Sequence, residues 1–112
     1  VPVNAMVLLA KATDYIADHY TKEPIRIPDL AALCGVSEVY LRRLFHTVHG
    51  VSPIQYVNDL KIERARELIA SGFYSMTEIA VLSGFNDYAY FSREFKKKVG
   101  TSPAEYAQRL EK

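Results

Sequence analysis

A chain of 112 residues is long enough for one compact unit or for two small lobes sharing a core, and 49% hydrophobic with 24% charged residues is globular rather than disordered composition. The longest apolar run, Ala5–Ala10, is too short to cross a bilayer, and no secretory signal pattern precedes it. The single cysteine, Cys34, excludes an intrachain disulfide, and a net charge of +1 leaves the question of a polyanionic partner to the distribution of charge.

In chain order, the spacing of apolar residues at three and four predicts helices only, with no strand signal of any length. Asn4–Tyr20 reads as a first helix, with Met6, Leu9, Ala10, Ala12, Ile16 and Ala17 on its apolar side. DLAALCG follows as a short helix stopped by glycine, the residue that tolerates a left-handed turn, and Cys34 within it is expected as a small buried hydrophobe. Arg26 stands where a serine or threonine cap is commoner, so this helix is expected to fray at its start. Ser37 then caps a longer helix, SEVYLRRLFHTVHG.

Ser52-Pro53 opens a fourth helix running to about Ala70, with Val57, Leu60, Ile62, Ala65, Leu68 and Ile69 apolar, and Gln55 placed to complete a capping box. Ser75-Met-Thr-Glu78 is a second capping box and opens EIAVLSG. Asn86 or Asp87 caps DYAYFSREFKKKVG, and Ser102-Pro103, with Glu105, opens the last helix. Seven helices and an all-α fold are predicted.

The grammar repeats. At an offset of fifty Arg43, Phe45, Gly50, Ser52, Pro53, Tyr56 and Leu60 match Arg93, Phe95, Gly100, Ser102, Pro103, Tyr106 and Leu110. Upstream, at 49, Ala31, Leu33 and Gly35 match Ala80, Leu82 and Gly84. Each copy has a small residue four before a glycine and then a capped helix, the pattern of a helix-turn-helix. The expected division is a first lobe over 4–52, a linker helix over 53–71 and a second lobe over 72–112.

Leu41, Leu44, Phe91 and Phe95 are expected to anchor the second helix of each lobe, and Phe45, Tyr56 and Tyr106 to join the core. The outward faces then offer Glu38, Val39, Arg42, Arg43 and His46 in one lobe and Asp87, Tyr88, Ala89, Ser92, Arg93 and Lys96–Lys98 in the other. Arginine pairs with guanine O6 and N7 in the major groove, and small apolar groups meet a thymine methyl. Lys96, Lys97 and Lys98 are candidate phosphate contacts, as are the helix starts at Ser37, Ser52, Asn86 and Ser102. A linker of about eighteen residues is a rod of roughly 27 Å, against roughly 34 Å between successive groove faces on one side of a duplex.

Catalysis is not expected. His46 and His49 are three apart, but no acidic or cysteine cluster completes a metal site, no cofactor motif is present, and no G-x-S-x-G nucleophile turn occurs. Glu63 and Glu67 share their helix with Lys61, Arg64 and Arg66, a solvated ion-paired face. The rival to DNA binding is a helical protein-interaction module, given eight tyrosines and five phenylalanines.

The ordered elements I-A-x-x-x-G-F, Y-F-S-R-x-F-K and G-x-S-P-x-x-Y, with KIERARELI at 61–69, resemble the DNA-binding domain of AraC/XylS-type bacterial transcription regulators. The resemblance runs from about Asn4 to Leu110. It implies two lobes whose second helices enter adjacent major-groove segments of a promoter. Base contacts would fall on Val39, Arg42 and Arg43, and on Tyr88, Ala89, Ser92 and Arg93; phosphate contacts would include His46. It further implies that the first lobe carries more of the specificity, in keeping with an Ala89 too small to hydrogen-bond a base. The resemblance further implies a sensory or dimerisation domain joined upstream, which fits a first residue other than methionine; a cytoplasmic activator acting at the nucleoid is expected, with contact to RNA polymerase as a second activity alongside DNA binding.

Overall fold

The structure, a computed structural model, describes residues 1–111. Within them the chain forms seven α-helices and no strand: α1 Val3–His19, α2 Ile27–Cys34, α3 Glu38–His49, α4 Pro53–Ser71, α5 Met76–Leu82, α6 Tyr88–Val99 and α7 Pro103–Leu110. No described helix is long and apolar enough to cross a membrane. The backbone divides into two compact units, and the boundary falls inside α4, between Val57 and Asn58.

In the first unit, α1 packs on both α2 and α3. Its buried stripe is Ala5, Leu9, Ala12 and Ile16, so the predicted apolar side is displaced: Met6, Ala10 and Ala17 face outward. Alanine and methionine suit either environment, and the larger Leu9 and Ile16 set which face turns in. Helix α2 starts at Ile27 without a side-chain cap. Arg26 supplies only a carbonyl, to Leu30 N–H at 3.0 Å, while buried Ile25 and Ile27 hold the entry on either side. Gly35 ends α2 at φ 69°, where a Cβ would be strained. Ala31 is buried, and Leu41, Leu44 and Phe45 seat α3. Cys34 is only half-buried, its Sγ 3.8 Å from the Leu8 carbonyl, and desolvation pushes its thiol above the usual value.

The second unit repeats this plan on a core of Ile62, Ala65, Leu68, Ile69, Ile79, Ala80, Phe85, Phe91 and Phe95. The last three turns of α4 are therefore part of this core, not a spacer ahead of it. Phe91 and Phe95 are fully buried, each worth roughly 1.5–3 kcal/mol relative to exposure. The Phe95 ring meets Tyr106 of α7 edge-on at 5.5 Å. Tyr106 and its counterpart Tyr56 are half-buried, with the Tyr106 hydroxyl accepting from Arg66 Nε at 3.3 Å. Lys61 lies over the Phe85 ring at 5.3 Å, and burial lowers the affinity of its amine for a proton.

Candidate nucleic-acid interface

Because α3 buries Leu41, Leu44 and Phe45, its opposite side is fixed by helical period as Val39, Arg42, Arg43 and His46. All four are exposed, Val39 by 65%, an uncommon state for a β-branched apolar residue on an otherwise well-packed helix. Ser37 caps the helix, its Oγ accepting from Tyr40 N–H at 3.1 Å. Arg42 Nη2 lies 3.3 Å from Glu38 Oε1, an exposed pair one turn apart that a stronger anion displaces at little cost. His49 departs from His46: its ring packs 4.9 Å from Tyr56 and 5.5 Å from Phe45.

Helix α6 presents the matching face. Its cap is Asp87, whose Oδ1 accepts from Ala89 N–H at 2.8 Å and Tyr90 N–H at 3.3 Å; Asn86 lies exposed just before it. Asp87 is one residue nearer the first helical turn, so its carboxylate reaches both amides. Ala89, Arg93, Lys96 and Lys97 are exposed, while Ser92 is half-buried. Tyr88 is partly exposed and meets the Phe91 ring edge-on at 5.6 Å, which holds it at the helix start.

The lysine run divides. Lys98 is exposed as well, but the helical period sets it on another flank of α6, where its Nζ lies 3.6 Å from Asp59 Oδ2 on α4. Lys96 and Lys97 remain with the outward face.

The Ser-Pro helix starts are partly committed. Ser52 Oγ and Ser102 Oγ each accept from the N–H three residues on at 3.1 Å, and Ser102 N–H donates to Glu105 Oε1 at 3.4 Å. Pro53 and Pro103 carry no N–H.

One cluster has no counterpart in the predicted site. Asn58 of α4 donates through Nδ2 to Tyr90 Oη at 2.7 Å and to Glu94 Oε1 at 3.1 Å, both on α6. Its only sequence signal is an amide in helical register with Ile62, Ala65 and Ile69.

A family model described as a helix-turn-helix domain matches residues 30–109. The HTH-type transcriptional regulator YisR of Bacillus subtilis is 38% identical over 96 residues, which is 86% of this chain and 33% of that protein. The chain spans about a third of the length of most curated relatives it matches. Among solved structures, the C-terminal domain of AraT, a response regulator from Geobacillus stearothermophilus, superposes with a TM-score of 0.84 at 32% identity, covering 91% of this chain and 84% of that one. A transcriptional regulator of the AraC-type DNA-binding domain class from Chromobacterium violaceum gives 0.82 at 27%, covering 97% and 96%. The DNA-binding domain of AdpA, solved in complex with a target DNA, gives 0.83 at 27%, covering 90% of each chain.

Proposed function

The chain belongs to the AraC-type helix-turn-helix family of DNA-binding transcription regulators, and from that premise we propose that α3 and α6 enter neighbouring major-groove segments of a promoter. The observation that carries the proposal is the duplicated exposed arginine, Arg43 and Arg93, at one place in two copies whose cores fix the outward side. In this reading Arg42 and Arg43 pair with purine edges and Val39 meets a thymine methyl. Tyr88, Ala89, Ser92 and Arg93 form the second and weaker reader. His46, Lys96 and Lys97, with the helix starts at Ser37, Ser52, Asn86 and Ser102, hold phosphates and set the register.

The wider assignments rest on this reading. The chain acts within a longer bacterial regulator that supplies sensing or dimerisation, works at the nucleoid in the cytoplasm, and activates through contact with RNA polymerase. Family membership supports a regulator without catalysis of its own in this domain.

Titration of duplex fragments at several salt concentrations tests the DNA-binding reading. Counterion release from about six phosphate contacts predicts a log–log slope on the order of −5. Absence of binding to any duplex at low salt contradicts it and favours a helical protein-interaction module.

A further inference from the structure

Two side chains of α6 converge on a single buried amide from α4, and the first unit is built differently there. Asn58 is 6% exposed, and its Nδ2 donates to both Tyr90 Oη and Glu94 Oε1. Tyr90 and Glu94 are four apart, so the two acceptors stand one turn from each other on one flank of α6. The outward residues Ala89, Arg93 and Lys96 lie around the helix from that flank.

The buried stripes show what the amide replaces. Ala5, Leu9, Ala12 and Ile16 of α1 correspond, at a constant separation of 53, to Asn58, Ile62, Ala65 and Ile69 of α4. On α3, the positions fifty before Tyr90 and Glu94 are Tyr40 and Leu44. The first unit thus has alanine and leucine where the second has an amide and a carboxylate.

The physical difference is direction. Apolar burial is proportional to area and tolerates small rotations of a helix. Hydrogen bonds weaken steeply with angle, and a charged acceptor strengthens the one to Glu94. Rotating α6 breaks one or both and leaves a buried donor unmet.

We propose that Asn58 is a positioning residue for base reading: its two hydrogen bonds set the rotation of α6 about its axis, and so the direction in which Arg93 is presented to the groove. This rests on the DNA-binding reading above. The clamp sharpens discrimination in the half of the operator read by α6 and leaves the half read by α3 untouched.

The test is the double substitution Asn58→Ala with Glu94→Leu, which rebuilds the first unit's apolar pairing in the second. Discrimination between the preferred and a mismatched base pair is measured in each half of a selected duplex, and backbone amide exchange is followed without DNA. Discrimination in the α6 half is expected to fall by about tenfold, within the range one good base contact carries, with the α3 half unchanged. Without DNA, the α6 amides are expected to exchange faster while those of α5 keep their rates. Tyr90→Phe, which deletes one acceptor and little else, is expected to lose less in the same direction.

Unchanged discrimination, or equal loss in both halves, overturns the proposal. A wild-type chain that binds no duplex sinks the DNA-binding reading instead, and the exchange comparison then decides the clamp: unchanged α6 rates refute it, and faster α6 rates alone support it.

Discussion

Arg43 and Arg93 are set by packing rather than by their own interactions. Each sits two residues before a fully buried phenylalanine, Phe45 or Phe95, so the helical period turns it outward. Replacing Arg43 with alanine is expected to cost about 1–3 kcal/mol of binding and to relax preference at one base position, measured on duplexes differing at single positions. Equal loss across all sequences assigns Arg43 to a phosphate. The lysines separate in the same way. Lys97→Met is expected to weaken every sequence alike and flatten the salt slope by roughly one unit, and a changed base preference contradicts the assignment. Lys98, beside Asp59, was not separable from its neighbours in the sequence, because a run of three lysines shows charge and not direction. Asn58 was equally hidden: one asparagine in a helix reads as a solvated position until the tyrosine and glutamate 32 and 36 residues later are placed beside it.

At the scale of elements, caps and stops were the most legible part, since each is a local bond between residues two to four apart. Ser75 and Glu78 form the predicted capping box, as do Ser102 and Glu105. Where the residues gave two candidates for the α6 cap, reach to two first-turn amides selects Asp87 over Asn86. The burial of α1 was harder to read, because alanines lie on several faces and only contact with α2 and α3 picks one. The capping boxes carry a pH signature. The Ser75 backbone N–H and then its hydroxyl hold the Glu78 carboxyl below its ordinary value; the Ser102 hydroxyl and backbone N–H do the same for Glu105. A depressed carboxylate contributes stability that is fully present above the unfolded-state value and is lost as pH falls through the folded-state one. Urea midpoints should therefore decline through the acid side of the carboxylate range, and less so in a Glu78→Gln, Glu105→Gln variant. Identical acid limbs contradict this.

On the scale of the whole molecule, the duplication was legible from two glycine-serine-proline turns, but the division between units was not. The sequence sets the whole helix 53–71 apart as a linker between two lobes, whereas the contacts divide the chain within it, after Val57, because Ile62, Ala65, Leu68 and Ile69 face the second core. A helix written as a connector thus also builds one of the two readers. Both units bury the same kind of stripe and expose the same kind of edge, and the functional claim depends on both edges engaging one duplex. Selection of bound duplexes from a random pool measures this directly. Two short motifs about one helical turn apart are expected, the sharper one relaxed at one position by loss of Arg43 and the weaker one by loss of Arg93. Enrichment of a single motif, or of none, would contradict the account.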